Sequence, residues 1–241
     1  MAISRFKKGV PGFGFDAFGY PLKYDTASAA GCSTKLPIPE DGLIRYAPLD
    51  KYYENTTTLG ESYFKQVGNV TFETVDGVPC AYFEKESGCR FMQAYFLEST
   101  SGFTCSFWCK NVESAGTVAF CVCDSGCYDY DCTMWVSKTA AVFMSGDSKV
   151  RAEFEDNNKL RHISVRYSDG AADLFIDGSL TASAEFAVNI KTDQYYTQIA
   201  KRTNYESQPA DGFKGYMSSF RIYNRALSDK EIKALSKEFK I

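Results

Sequence analysis

The sequence predicts an all-β fold, an antiparallel two-sheet sandwich, from three observations. Asp-Gly occurs five times, at 41–42, 76–77, 169–170, 177–178 and 211–212, and Asp-Gly between alternating apolar runs is the strongest short-range signal of a β-hairpin. Aromatic residues make up 15% of the 241 residues, and they favour pleated, half-buried surfaces. Helical periodicity is confined to the C-terminus, so short strands joined by tight turns must build nearly all of the core.

The segment 1–40 is predicted to be an extended arm outside this sandwich. Glycines alternate with aromatic residues there, and no helical or strand period persists. Glycine makes the segment flexible, whereas aromatic side chains are unfavourable in water. We therefore expect the arm to dock on its own domain, a neighbouring copy or another protein, with a flexible tail as the alternative. The aromatic residues expected to dock are Phe6, Phe13, Phe15, Phe18 and Tyr20.

The clearest strands lie in two stretches of the domain that follows, residues 41–241. In LRHISVRYSDGAADLFIDGSLTAS (160–183) the apolar residues alternate on both sides of Asp169-Gly170 and again before Asp177-Gly178, which predicts a double hairpin. In GFTCSFWCKN (102–111) the same alternation separates two faces of one strand. The face predicted to meet the core carries Phe103, Cys105, Phe107 and Cys109, and the other carries Thr104, Ser106, Trp108 and Lys110.

Near the C-terminus the alternation of apolar residues changes phase. Met217 has odd parity, whereas Phe220 and Ile222 have even parity, so one unbroken strand cannot point all three toward the core. An extra residue at Ser218-Ser219 would reconcile them, and this predicts a β-bulge.

A short helix is predicted to follow that strand and to lie on the sandwich. Ser228 and Glu231 have the spacing of a capping box, and Leu227 and Ile232 occupy the two positions of a hydrophobic staple. The apolar stripe of this helix is Ile232, Leu235 and Phe239.

Composition excludes several classes of protein. The net charge of −3 offers no basic surface for nucleic acid. The sequence contains no run of 18 apolar residues, so no membrane-spanning helix is predicted. Gly, Pro and Asp interrupt the N-terminal segment, so no signal peptide is predicted, and synthesis in the cytoplasm is expected. The nine cysteines form no regular framework, which favours free thiols.

Five blocks of the chain resemble, in order, those of laminin-G-like, concanavalin-A-like jelly-roll domains. The resemblance implies two antiparallel sheets, with a convex back, a concave front and binding loops along one rim. The chain departs from the family at QIAKRTN (198–204), where relatives usually carry an Ile-Gly pair, and in its many core cysteines. The five blocks are GLIRYAPLDKYYENTT (42–57), GVPCAYFEKESGCRF (77–91), FTCSFWCKN (103–111), RHISVRYSDGAADLFIDG (161–178) and FKGYMSSFRIYNRALSDKEIKAL (213–235).

The sequence argues against catalysis. Glucanases of the resembled fold place their carboxylates on one strand as Glu-x-Asp-x-Glu, and the nearest stretch here, Glu153-Phe154-Glu155-Asp156, lacks that spacing and favours a solvated turn. His162 is the only histidine, so any Ser–His or Cys–His scheme must use it. A structural role for His162 is the favoured interpretation.

The cysteine cluster CVCDSGCYDYDC does not have the paired Cys-x2-Cys spacing of a zinc site. Cys121 and Cys123 share one face of a predicted strand and are expected to act as small hydrophobic residues. A disulfide between Cys127 and Cys132 is the alternative in an oxidising medium.

Calcium is a better candidate than zinc, because the resembled domains often hold a calcium ion at the rim. No EF-hand spacing selects among the acids in the predicted loops, and a charged, soluble rim is the plainer interpretation. The candidate acids are Glu84, Glu86, Asp124, Asp129, Asp131 and Asp211.

Sugar binding is predicted at two tyrosine-rich segments, because sugars need exposed aromatic faces beside hydrogen-bonding groups. Such segments also suit protein–protein contacts, which remain the alternative. The candidate residues are Tyr128, Asp129, Tyr130, Asp131, Tyr195, Tyr196, Asn204 and Tyr205.

Three functions follow from these features. The favoured one is a non-catalytic structural or adhesion component of a larger assembly, such as a phage virion, where it would serve as a capsid decoration, head fibre or tail protein. Its arm would contact virion proteins or further copies of the chain, it would also bind host-surface carbohydrate, and release by lysis would explain the lack of an export signal. The alternatives are a free carbohydrate-binding lectin and a polysaccharide-cleaving enzyme.

Overall fold

A computed structural model of the protein describes residues 13–15, 21–23, 38–50, 64–85, 87–92, 102–123, 130–188, 196–201 and 212–239. Within these ranges the first nine strands are β1 (Phe13–Phe15), β2 (Pro21–Lys23), β3 (Leu43–Ala47), β4 (Phe64–Val67), β5 (Val70–Val75), β6 (Val78–Phe83), β7 (Gly88–Met92), β8 (Gly102–Asn111) and β9 (Thr117–Cys123). The remaining elements are β10 (Tyr130–Val136), β11 (Ala140–Ser145), β12 (Ser148–Glu153), β13 (Arg161–Ser168), β14 (Ala171–Ile176), β15 (Ser179–Glu185), β16 (Tyr196–Ile199), β17 (Gly215–Tyr223) and the helix α1 (Asp229–Leu235).

Two antiparallel sheets form the sandwich that the sequence predicts. The seven-stranded sheet has the order β12-β11-β10-β9-β16-β7-β4. The eight-stranded sheet has the order β15-β14-β13-β8-β17-β6-β5, with β3 also paired to β17. One apolar cluster fills the space between them and includes Phe83, Phe107, Phe120, Phe143 and Phe220, all at most 2% exposed. The prediction of an all-β jelly-roll sandwich is confirmed.

Asp-Gly turns close three of the hairpins. Both residues have positive φ at Asp76-Gly77 (52° and 79°), Asp169-Gly170 (49° and 82°) and Asp177-Gly178 (51° and 78°). This is the backbone that a two-residue hairpin loop requires, because its twist matches that of the flanking strands. The predicted double hairpin is therefore confirmed as β13–β14–β15.

The predicted bulge in β17 is present. The pairing of β17 with β8 shifts register between Ser218 and Arg221, and Ser219 has φ of 52°. As a result Met217, Phe220 and Ile222 all lie in the core between the sheets.

The C-terminal helix begins as the sequence predicts but ends earlier than the apolar stripe does. Ser228 caps α1, and its side chain and that of Glu231 form the reciprocal capping box. Ile232 packs with Leu227 and Leu235 on the outer side of the eight-stranded sheet, against Phe175 and Tyr223. The prediction that Phe239 continues the helical stripe was wrong, because α1 ends at Leu235 and Phe239 instead packs on Trp108, with ring centroids 5.6 Å apart.

The outer side of the eight-stranded sheet is therefore partly a second core. Thr104, Ser106, His162 and Ser164 are each 0% exposed, although their strand positions face away from the space between the sheets. Residues 225–239 cover them. Leu227 N donates to Thr104 Oγ1, for example, at 2.9 Å.

Within the predicted arm, β1 and β2 pair as a short antiparallel hairpin that joins Phe13 to Lys23 and Phe15 to Pro21. The sequence shows no strand period in this segment, because strands of three residues are too short to show one. Phe6, Phe18 and Tyr20 lie outside the described residues. No helix in the described part of the chain is long and apolar enough to span a bilayer.

Candidate functional site

Two of the predicted sugar-binding tyrosines, Tyr130 and Tyr196, lie at one end of the seven-stranded sheet. Tyr130, the first residue of β10, pairs with Cys123 at the end of β9, and Tyr196, the first residue of β16, pairs with the same Cys123 from the other side. Neighbouring strands lie about 4.8 Å apart, so the backbones of the two tyrosines lie roughly 10 Å apart. Asp131 follows Tyr130 within β10. We call Tyr130, Cys123 and Tyr196 the sheet-end row.

The other predicted sugar-binding residues cannot be placed relative to this row. Tyr128, Asp129, Tyr195, Asn204 and Tyr205 lie outside the described residues. Tyr128 and Asp129 precede Tyr130 in the chain and Tyr195 precedes Tyr196, whereas Asn204 and Tyr205 follow Lys201, beyond the opposite end of β16. The structure thus brings together the first residues of β10 and β16, which lie far apart in the sequence.

The candidate calcium ligands show no grouping among the described residues. Glu84 is exposed and forms an ion pair with Lys214 Nζ at 3.2 Å. Its carbonyl oxygen accepts hydrogen bonds from Ser87 N and Ser87 Oγ, both at 2.8 Å. Four of the other candidate acids lie outside the described residues, namely Glu86, Asp124, Asp129 and Asp211. The described part of the chain contains no group of three side chains that could together hold a metal ion. A calcium site remains a prediction.

His162 is sealed beneath the C-terminal segment. Its Nε2 lies 2.7 Å from Ser106 Oγ, and the Trp108 ring packs edge-on at 5.3 Å between centroids. Burial, with a smaller contribution from the Arg221 charge, lowers the pKa of His162 from 6.5 to about 3. Although a Ser–His pair is present, neither residue is exposed and the His162 Nδ1 has no hydrogen-bond partner among the described residues. The pair can neither meet a substrate nor be oriented by a third group.

The Glu153–Asp156 stretch has the geometry of a solvated turn. Glu153 forms an exposed ion pair with Arg151 at 3.1 Å, and Asp156 Oδ1 accepts a hydrogen bond from the backbone of Asn158 at 3.0 Å. Beside this turn lies a cleft between the end of β8, the β10–β11 turn and the 154–161 segment, into which Lys110, Lys138 and Lys159 contribute.

The cysteines act as buried small side chains where the structure describes them. Cys105, Cys109 and Cys121 are free thiols at most 2% exposed, and Cys132 is buried in the core between the sheets. Cys127 lies outside the described residues, so the alternative of a disulfide from Cys127 to Cys132 stays a prediction. Burial raises the pKa of Cys105 and of Cys109, which leaves both thiols protonated and unreactive.

Sequence reasoning missed one pair of partly exposed aromatic residues, Tyr82 in β6 and Tyr216 in β17. Their ring centroids lie 4.9 Å apart with the ring planes at 49°. Strand parity could have placed both on the outer side of the eight-stranded sheet. The pairing of β6 with β17, which brings them together, is not local in sequence.

The family model for the concanavalin A-like lectin/glucanases superfamily matches residues 84–233. Among solved structures, domain 4 of AbnA, an extracellular arabinanase from Geobacillus stearothermophilus in complex with arabinotriose, is similar at a TM-score of 0.61 and 17% identity, over 82% of this chain and 100% of that chain. Among curated proteins, no sequence matches the chain significantly.

The binding domains of botulinum neurotoxins are also similar in fold. The binding domain of neurotoxin DC in complex with SialylT has a TM-score of 0.59 and 14% identity, over 82% of this chain and 51% of that chain. The same toxin domain in complex with rat synaptotagmin II has a TM-score of 0.60 and 15% identity, over 81% and 51%. The chain thus spans about half the length of these toxin domains, and at such identities the likeness shows the fold alone.

Proposed function

The chain belongs to the concanavalin A-like lectin/glucanase superfamily, and from this premise we propose that it is a non-catalytic adhesion module that binds carbohydrate. We further propose that residues 1–40 anchor the domain of residues 41–241 in a larger assembly. The setting that suits such a module best is a phage virion, in which it would serve as a capsid decoration, head fibre or tail protein.

The observation that carries the carbohydrate part is the sheet-end row. Tyr130 and Tyr196 lie on either side of Cys123, on the two strands that pair with β9. Two segments rich in tyrosine and in acidic or amide residues therefore lead into strand ends that only one strand separates. Aromatic faces next to hydrogen-bonding groups are what a sugar site needs. The arabinotriose and SialylT complexes of the similar structures support this class of ligand.

A binding role rather than a hydrolytic one is supported by the surroundings of the titratable groups. His162, the only histidine, is fully buried, and Glu153 is held in an exposed ion pair with Arg151. A glycosidase needs one carboxylic acid with a raised pKa and a second carboxylate facing it across the scissile bond. Because the superfamily includes glucanases, the binding test must also measure turnover.

The binding test compares the full chain with Tyr130→Ala/Tyr196→Ala on a panel of oligosaccharides, with calcium and with EGTA. We expect saturable binding that the double variant weakens by about tenfold, as the loss of aromatic contacts predicts. Leu180→Ala is the matched control, because Leu180 is a large side chain that is 50% exposed on β15 of the other sheet. Release of reducing sugar would contradict the non-catalytic role. Unchanged binding in the double variant would show that the carbohydrate does not bind at the sheet-end row.

The anchoring test is sedimentation of the full chain and of a truncation that lacks residues 1–37, each in a lysate of the native source. The truncation keeps Ile38, which packs on the Leu227 cluster, and Pro39, whose carbonyl oxygen accepts a hydrogen bond from Tyr223 Oη at 3.1 Å. We expect the full chain to travel with a large particle and the truncation to stay near the mass of a free chain. If the full chain also sediments near 26.9 kDa, the protein is a free lectin.

A further inference from the structure

A second aromatic surface lies on the outer side of the eight-stranded sheet. Thr71, Tyr82, Tyr216 and Lys110 stand opposite one another in register across four neighbouring strands, β5, β6, β17 and β8. We call these four residues the tyrosine row. It lies beyond the end of the region that residues 225–239 cover, and Thr71 is exposed while the other three are partly exposed.

The two rings of this row are held in place from below. Tyr216 packs against a buried cluster of Val78, Cys80, Trp108 and Leu160. The tilt of 49° at 4.9 Å between the Tyr82 and Tyr216 centroids makes a shallow, bent aromatic surface. Partial burial and the nearby Glu73 carboxylate raise the pKa of Tyr216, so its hydroxyl stays protonated. Rigid aromatic side chains lose little entropy when a ligand stacks on them.

Charged groups border the row and differ between its ends. Glu73 on the edge strand β5 and the Glu84–Lys214 ion pair lie near the two tyrosines. At the other end, Lys110 makes no ion pair with any described residue. That end of the row therefore carries a positive charge without an ion-pair partner in the described part of the chain, although the whole chain has a net charge of −3.

We propose that the tyrosine row binds a linear oligosaccharide, stacked on Tyr82 and Tyr216, with a carboxylate-bearing sugar over Lys110. Neighbouring strands are about 4.8 Å apart, a spacing close to the advance of a linear glycan per sugar unit, so consecutive units would meet consecutive side chains of the row. The Lys110 ammonium would bind the carboxylate of a uronic acid. This site is on the opposite sheet from the sheet-end row and does not depend on it.

A glycan suits this surface better than a protein partner does. Interface cores are depleted of Lys, Glu and Asp, whereas Lys110, Glu73, Glu84 and Lys214 surround the two rings. Hydroxyl-rich ligands can use such groups, because each sugar hydroxyl both donates and accepts a hydrogen bond.

The experiment measures binding of tetragalacturonate and of cellotetraose, a neutral chain of the same length, by calorimetry. The proteins are the full chain, Tyr82→Leu/Tyr216→Leu, Lys110→Gln and the sheet-end variant Tyr130→Ala/Tyr196→Ala. Leucine keeps apolar packing on the Trp108 cluster and removes the aromatic face, and thermal unfolding of each variant verifies its fold.

We expect tetragalacturonate to bind more tightly than cellotetraose. The tyrosine variant should lose about tenfold in affinity for tetragalacturonate, and Lys110→Gln about threefold to fivefold. The sheet-end variant should bind it as the full chain does. Absence of tetragalacturonate binding, or a loss confined to the sheet-end variant, overturns the proposal. Equal affinity for both probes with no effect of Lys110→Gln overturns the assignment of the carboxylate. If Tyr130→Ala/Tyr196→Ala binds every oligosaccharide as tightly as the full chain does, that result contradicts the proposed function and leaves the site at the tyrosine row unaffected.

Discussion

The outer side of the eight-stranded sheet has a covered half and an open half, and the same strands supply both. In β8, Ser106 and Trp108 are at most 4% exposed while Lys110 is partly exposed, and in β17 Arg221 is 2% exposed while Tyr216 is partly exposed. The covered half binds its own chain: Arg221 holds Glu238 with two hydrogen bonds of 2.8 and 2.6 Å. The path of residues 225–239, rather than strand parity, therefore decides which outward side chains of this sheet can meet a ligand.

The largest loss of stability is expected where residues 225–239, which we call the cover, contact the buried charge of Arg221. Burial alone would lower the pKa of Arg221, but the Glu238 carboxylate raises it, so the guanidinium stays charged in the covered half. Glu238→Ala would leave that charge unpaired, and we expect a loss of about 3 kcal/mol in the free energy of unfolding, measured with urea. Lys237→Ala, an exposed neighbour in the same tail, is the control. A loss below about 1 kcal/mol would show that water reaches Arg221 and that the halves differ less than described.

The second prediction concerns the pH dependence of stability, which the buried His162 of the covered half should cause. The unfolded chain protonates His162 near its ordinary pKa of 6.5, whereas the folded chain does so only near pH 3. Between these values the unfolded state binds more protons, so stability is full above pH 6.5 and falls as the pH is lowered. We expect a loss of about 2 kcal/mol from pH 8 to pH 5.

His162→Gln should flatten this pH dependence. The pKa of Glu231, which its hydrogen bond with Arg225 lowers from 4.5 to about 2, affects stability only below that window, where the carboxylate of the unfolded chain begins to protonate. A slope between pH 8 and pH 5 that survives in His162→Gln would mean that the histidine is not sealed by the cover.

These covered-half features show how far the sequence could predict the structure. Ser228, Glu231 and the bulge at Ser219 were predictable because capping and parity are local properties of the chain. The burial of Ser106 and the exposure of Tyr216 were not, because both depend on where the tail after Leu235 lies. The sheet-end row was half predictable: its tyrosines stand out by composition, but only the pairing of β9 with β10 and β16 makes them neighbours.

A smaller effect tests what starts the cover. Ser228 Oγ accepts a hydrogen bond from Glu231 N at 3.3 Å, and the Glu231 carboxylate accepts one from Ser228 N at 2.8 Å. Ser228→Ala should cost about 1 kcal/mol of unfolding free energy, the usual value of an N-cap. Lys230→Ala, exposed in the same helix, should leave it unchanged. An equal loss in both variants would mean that the cap contributes nothing specific.

The smallest change in the free energy of unfolding is expected in the open half of the sheet, and it tests whether the two halves differ in their contribution to stability. Lys110→Gln removes a partly exposed charge that has no ion-pair partner among the described residues, so stability should change by no more than about 0.5 kcal/mol. Because Lys110 is neither covered by residues 225–239 nor held in an ion pair with a described residue, its side chain is available for a ligand. If urea unfolding instead shows that Lys110→Gln costs as much as Ser228→Ala, the lysine supports the fold. The open half would then be a structural surface like its neighbour.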